Sequence, residues 1–199
     1  MNILITGANG FIGKNLILKL KEYGYSNILK FVRGDSFSKL DKLINKADFI
    51  IHLAGSNRPL DESEFSEINV DLTKHICDLL IKTKNKVPLI FSSSTQAEQE
   101  NPYGKSKKEA EKEIEKLALE NNNPVYIFRL PNIFGKWCKP NYNSFIATFC
   151  HNICNDLPIK ITNPDAVISL MHIDDLCREF VNLISHKKGR ESKSNFIKV

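Results

Sequence analysis

Hydrophobic positions along the chain fall into short unbroken runs that alternate with stretches of helical spacing. Asn2 to Thr6 is an apolar run with β-branched residues, the pattern of a strand buried on both faces. Phe11 to Tyr23 follows with Ile12, Leu16 and Leu20 on one helical face, and Gly24 is placed to stop the helix. Strands are then predicted over Asn27–Val32, Phe49–Ala54, Pro88–Ser93 and Val125–Leu130. Helices are predicted over Leu40–Lys46, along the stripe Phe65, Ile68, Leu72, Ile76, Leu79 and Leu80, and over Tyr103–Asn121, Ser144–Cys154 and Asp174–Ile184. Repeated strand–helix units imply an α/β fold: a Rossmann-like, doubly wound parallel sheet with helices on both faces. Residues 1–185 read as one domain. Ser185–Asn195 is polar and basic, and Phe196–Val199 reads as one further strand, so the 186–199 stretch suggests a chain that stops before its substrate-binding portion is complete.

Composition narrows the class. The 199 residues are 42% hydrophobic with a net charge of +5, which excludes a disordered chain. No apolar run approaches the ~20 residues of a membrane span, and no secretory leader pattern opens the chain, so a cytoplasmic protein is expected. Lys187, Lys188, Arg190 and Lys193 supply most of the excess charge. So mild a basic balance suits an anionic small molecule rather than nucleic acid. The five cysteines, Cys77, Cys138, Cys150, Cys154 and Cys177, have irregular spacing and no C-x-x-C, as expected of reduced thiols. Cys150, His151 and Cys154 lack a second ligand pair at zinc spacing, so a packed helix is expected there and no metal.

The first chemical motif is Gly7-Ala8-Asn9-Gly10-Phe11-Ile12-Gly13, between the first strand and the first helix. Its glycines permit a tight turn, close approach of backbone to a pyrophosphate, and packing of helix on strand. The helix N-terminus adds amides and a positive dipole end. These residues are therefore the candidate dinucleotide loop. Arg33 ends the second strand, where an acid would bind the ribose 2′-hydroxyl of NAD and an arginine accommodates the 2′-phosphate of NADP. This favours NADP(H), although Asp35 follows two residues on. Tyr103-x-x-x-Lys107 places a phenol and an ammonium one turn apart on a helix. The ammonium is expected to draw the phenol toward working pH, so that it can protonate a carbonyl oxygen. Ser94, at the carboxyl end of the Ile90–Ser94 strand, is placed to hydrogen-bond the reacting oxygen, with Ser92 and Ser93 in packing roles.

Together these features resemble an extended short-chain dehydrogenase/reductase of the NAD-dependent epimerase/dehydratase group. The resemblance rests on Thr6-Gly7-x-x-Gly10-x-x-Gly13, Asp48-x-x-x-His52-Leu53-Ala54-Gly55, Ser92-Ser93-Ser94, Tyr103-x-x-x-Lys107, Arg129-x-x-Asn132-x-Phe134-Gly135 and His172-Ile173-Asp174-Asp175. It implies Tyr103 as acid/base, Lys107 as its partner and nicotinamide-ribose ligand, Ser94 on the substrate oxygen, and Leu53, Ala54, Gly55 and Asn69 along the cofactor. A narrower resemblance is to the reductase half of bacterial surface-polysaccharide enzymes that make UDP-N-acetyl-L-fucosamine, carried by His52–Pro59, Asn101–Gly104 and the unusual run Gly135–Ser144. It implies NADPH-dependent reduction of the 4-keto group of a UDP-linked deoxy amino sugar. The metal-bearing cupin half of such enzymes is not in this sequence. Candidate substrate contacts are Arg58, Gln96, Asn132, Lys136, Lys139, Asn141 and Tyr142, with Trp137 as a stacking face. Alternatives are an epimerase that retains NAD and a non-catalytic dinucleotide-binding protein. Thr95-Gln96-Ala97 stands where dehydratases of the group carry an acidic pair, which disfavours dehydration. The long helices Glu62–Thr83 and Lys105–Asn121 are candidates for a homodimer interface.

Overall fold

The computed structural model describes residues 1–57, 61, 63–186 and 196–198. Strands β1 (Ile3–Thr6), β2 (Ile28–Phe31), β3 (Phe49–His52), β4 (Leu89–Ser94), β5 (Val125–Leu130) and β8 (Phe196–Lys198) form one parallel sheet in the order β2-β1-β3-β4-β5-β8. The winding reverses between β1 and β3, so the crevice where ligands bind in such sheets lies beyond the carboxyl ends of these two strands. The strand expected near the C-terminus is the sixth of this sheet, with Val125 opposite Phe196.

Apolar runs become strands here because both faces are covered. Leu4 and Ile50 enter a core with α2 (Phe37–Ile44), α3 (Leu72–Lys82) and α4 (Pro102–Asn121). Ile3, Ile5, Phe49 and Ile51 point the other way, against α1 (Phe11–Glu22) and α6 (Ile173–His186). Each such buried aliphatic contributes about 1.5–3 kcal/mol relative to exposure. Helix α4 begins where its sequence says it should. Asn101 caps it by accepting the Gly104 N–H at 2.7 Å, and Pro102 fills the first helical position, where a missing N–H costs nothing.

Three features depart from the sequence reading. Two short strands, β6 (Asn132–Phe134) and β7 (Leu170–His172), pair in a separate two-stranded sheet where no strand was expected. The stripe from Phe65 opens as a wide π-type turn over Phe65–Asp71 before α3 takes α-helical form. Helix α5 (Phe145–Cys154) buries none of its residues, so Cys150 and Cys154 are exposed and the expected packing role fails. Cys77 and Cys177 are buried, and all five thiols are free. Among the described residues no cluster of three His, Cys, Asp or Glu forms a metal site, and no helix is long and apolar enough to cross a membrane.

Candidate active site

The glycine loop leaves β1 in a tight turn. Gly7 has φ +67°, and a Cβ there would meet the Ala54 nitrogen at 2.8 Å. The loop therefore lies directly against the backbone after β3. A Cβ on Gly13 would stand 2.5 Å from the Gly7 carbonyl, so α1 can close on the turn only with glycine at that place. Gly10, at the N-cap of α1, supplies no side-chain cap, and the first turn carries no acid. The first amides of α1 are thus left for an anion, as a pyrophosphate requires. Asn9 and Gly10 are exposed at the rim, while Phe11 and Ile12 pack on the α1–α6 core.

At the end of β2, the Arg33 side chain is 78% exposed, with Glu64 3.7 Å away. Asp35 turns back instead: it accepts the Val32 N–H at 2.9 Å and pairs with Lys39 at 2.7 Å. The Lys39 and Val32 hydrogen bonds hold its carboxyl below the usual range. The acid that complicated the choice of cofactor is therefore already engaged within its own turn.

Ser94, Tyr103 and Lys107 come together. Ser94 ends β4, and its Oγ accepts the Gln96 N–H at 3.2 Å, which caps the short Thr95–Glu98 turn. The half-buried Tyr103 phenol neighbours the Ser94 hydroxyl. Burial raises the phenol above its ordinary value, and Ser94 only offsets this in part. The expected downward pull by Lys107 is thus not what this geometry gives. The reason is the ammonium's own placement. Lys107 is 4% exposed, and its Nζ donates to the Ser92 carbonyl at 2.9 Å and lies 5.0 Å from the Phe91 ring centre. Burial pulls it down to about 8, with Glu111 opposing. A Cβ at Gly55 would touch both this Nζ and Asn69 Oδ1 at 3.1 Å. A residue without a side chain leaves Lys107 Nζ and Asn69 Oδ1 uncrowded here.

Asn69 owes its position to the wide turn before α3, a form of helix that often marks functional sites. It clamps Ser56, accepting its N–H at 2.8 Å and donating to its carbonyl at 2.9 Å, and it also donates to Ser106 Oγ at 3.0 Å. The sequence reading missed the polar layer behind these groups. Glu111, one turn beyond Lys107 and 2% exposed, receives Arg129 at 2.9 and 2.8 Å and the Ser93 hydroxyl at 2.5 Å. Arg129 reaches on to Glu98. A carboxylate beside Ala110 in an apolar helical stripe was the available signal, since buried acids require partners.

The run after Gly135 forms one wall. The Lys136 carbonyl accepts Asn15 Nδ2 at 2.9 Å, and Tyr142 donates to Asn57 Oδ1 at 3.0 Å, which joins the run to α1 and to the loop after β3. Lys136 Nζ stacks 4.6 Å over its neighbour Trp137, whose φ of +68° turns the ring outward to 46% exposure. Asn141, at φ +54°, uses its backbone N–H on Thr148. Lys139 and Asn132 are exposed, and Gln96 accepts from Asn101 at 3.3 Å on the surface. Arg58 and the basic stretch 187–195 lie outside the described residues. The His172–Asp175 segment serves the packing of the fold, since Asp174 meets Lys19 at 2.6 Å and so ties α6 to α1.

Comparison with known proteins agrees with the fold. The model of the NAD dependent epimerase/dehydratase family matches residues 3–196. The chain is 48% identical over 187 residues to the UDP-2-acetamido-2,6-beta-L-arabino-hexul-4-ose reductase of Pseudomonas aeruginosa, covering 94% of this chain and 50% of that protein. The capsular polysaccharide assembling protein CapF of Staphylococcus aureus superposes with TM-score 0.83 at 43% identity, over 100% of this chain and 53% of CapF. The chain thus spans about half the length of both relatives. The UDP-glucuronic acid 4-epimerase of Bacillus cereus, solved with NAD, shares the fold at TM-score 0.79 and 19% identity, over 100% of this chain and 78% of its own. By family model, relatives and fold together, the chain belongs to the NAD dependent epimerase/dehydratase family.

Proposed function

We propose that this protein carries out NADPH-dependent reduction of the 4-keto group of a UDP-linked 2-acetamido-2,6-dideoxy sugar, as a step toward surface polysaccharide. The observation that carries the reading is the approach of Tyr103 to Ser94 and of Lys107 to Gly55 beyond the ends of β4 and β3, beside the place where the winding of the sheet reverses. The Pseudomonas relative, a 4-ulose reductase by name, supports the substrate class.

The residues suit a dinucleotide: Gly7, Gly10 and Gly13 offer the pyrophosphate backbone amides, and Gly55 leaves room above Lys107 and Asn69. When bound, the reduced nicotinamide supplies a hydride to the carbonyl carbon. Tyr103 gives its phenolic proton to the carbonyl oxygen as the hydride arrives, and Ser94 donates a hydrogen bond to that oxygen. A phenol raised by burial starts in the protonated form, which fits a reaction that begins by giving a proton rather than taking one. Lys107, anchored on the Ser92 carbonyl, binds the nicotinamide ribose with its remaining N–H groups. Arg33 meets the 2′-phosphate. Lys136, Trp137, Tyr142 and Asn57 face the nucleotide end of the sugar substrate. Calorimetry with NADPH and NADH, on the wild type and on Arg33→Ala, tests the cofactor half. NADPH should bind more tightly, and the preference should vanish in the variant. Tighter NADH binding would instead favour an epimerase that keeps its cofactor.

A further inference from the structure

The last residue of β3, His52, is fully buried and takes no part in the reduction above. Its Nδ1 lies 2.6 Å from Thr6 Oγ1 and its Nε2 lies 2.9 Å from Thr73 Oγ1. The neighbours decide which nitrogen holds the proton. Thr6 Oγ1 accepts the Leu53 N–H at 3.2 Å and the Ala54 N–H at 3.1 Å. A hydroxyl has two lone pairs and one proton, so with both pairs taken, Thr6 donates to Nδ1. At the other end the Thr73 hydroxyl donates to the Asn69 carbonyl at 2.7 Å, so Thr73 accepts from Nε2–H. Each end independently selects the same neutral tautomer. A second ring proton would face the Thr6 hydroxyl proton. The remaining neighbours also oppose it: the Phe91 ring at 5.4 Å offers no acceptor, and Lys107 adds like charge.

We infer that His52, locked as the Nε2–H tautomer, is a positioning residue of the cofactor crevice, fixing both ends of the loop that lines it. The chain of donors runs one way, from the Leu53 and Ala54 amides through Thr6, His52 and Thr73 to the Asn69 carbonyl. At its first end it sets the backbone that touches Gly7; at its last it sets the wide turn whose Asn69 clamps Ser56. The loop between, residues 53–56, includes Gly55 over Lys107. The two hydroxyls need one group that accepts on one side and donates on the other, at the spacing of an imidazole. An apolar replacement would leave the Thr6 hydroxyl proton without its acceptor and the Thr73 oxygen without its donor. The inference rests on the dinucleotide reading of the crevice.

Two measurements test it. Long-range proton–nitrogen correlation spectra of 15N-labelled protein read the tautomer without any cofactor. A bare Nδ1 and a protonated Nε2, unchanged across neutral pH, are expected; a protonated Nδ1 or an imidazolium overturns the proposal. Calorimetry then compares NADPH binding by wild type, His52→Phe, Thr73→Val and His52→Asn, with circular dichroism confirming that each is folded. His52→Phe and Thr73→Val should each weaken NADPH roughly tenfold, the scale of one or two lost hydrogen bonds, while kcat at saturating NADPH falls by less than about threefold. His52→Asn keeps an acceptor near the Nδ1 position and should recover part of the affinity. Folded Phe and Val variants that bind NADPH as the wild type does would refute the positioning role. Failure of the wild type to bind either NADPH or NADH would sink the dinucleotide reading, and with it this role, even where the spectrum shows the expected tautomer.

Discussion

Lys107→Met should abolish the proposed reduction and change how the protein's stability depends on pH. Burial takes the Lys107 ammonium from its ordinary 10.5 down to about 8, with Glu111 partly opposing. At about 1.4 kcal/mol per pH unit, that gap is worth roughly 3 kcal/mol. Below the folded value, both folded and unfolded chains hold the proton, and the folded state bears the full cost of the buried charge. Between about 8 and 10.5 the folded chain releases the proton while the unfolded chain keeps it. Stability therefore rises with pH across this window. The Met variant has no proton to release. Urea denaturation in steps from about pH 7 to about pH 10.5 should show wild type gaining about 3 kcal/mol relative to the variant. Subtracting the variant removes other groups common to both chains, such as the Cys77 thiol, which burial pushes up and which acts with the opposite sign. At neutral pH the variant also loses the bond to the Ser92 carbonyl and the contact with Phe91, about 1 kcal/mol each. Its net gain there should be about 1 kcal/mol. Parallel stability curves would refute the reasoning, because they would mean that Lys107 is not held as a buried charge.

Three further outcomes follow from the packing. Gly104→Ala would set a Cβ 2.2 Å from the Gln96 carbonyl, so thermal unfolding should show a loss near 3 kcal/mol, the upper end of overpacking, and kcat should fall with the displaced Tyr103. Asp174 is held down from its ordinary 3.8 to about 2 by Lys19 and then Arg178, so it stabilises the fold above its unfolded value. That contribution should disappear as pH falls from about 4 toward 2, and Asp174→Asn should flatten the acid limb of the stability curve. A thiol reagent applied to the native protein should modify Cys150 and Cys154 quickly and spare Cys77 and Cys177 until the protein unfolds, as mass mapping would show.

The strands were legible because a sheet covered on both faces demands unbroken apolar runs, and such runs stand out at Ile3–Ile5 and Phe49–Ile51. The glycine loop was legible for a similar reason. Gly7 and Gly13 each meet backbone that would exclude a Cβ, and so constrained a place leaves a mark in the sequence. Strands β6 and β7 were not legible: they are three residues each, partly exposed, and held by partners about forty residues apart. The exposure of α5 was hidden because its spacing of Phe145, Phe149 and Ile153 imitates a core-facing stripe, while the described structure covers Phe145 and Phe149 only in part and leaves Ile153 exposed. The polar layer was hidden most fully. Glu111, Arg129, Thr73 and His52 come from α4, β5, α3 and β3, and only the register of the sheet brings them within hydrogen-bonding distance. The sign at Tyr103 was misjudged because sequence spacing fixes where an ammonium stands along a helix, not which acceptor its nitrogen chooses.

The most direct test of a consumed-cofactor reduction is isotope transfer. NADPH carrying deuterium at the transferable position of the nicotinamide is incubated with the protein and a UDP-linked 2-acetamido-2,6-dideoxy-4-ulose, and the sugar is analysed by mass spectrometry and NMR. The account predicts one deuterium on carbon 4 of the sugar for each NADPH oxidised, and no transfer with Tyr103→Phe. A sugar epimerised without net oxidation of NADPH, or a wild-type protein that binds NADPH and transfers nothing, would contradict it.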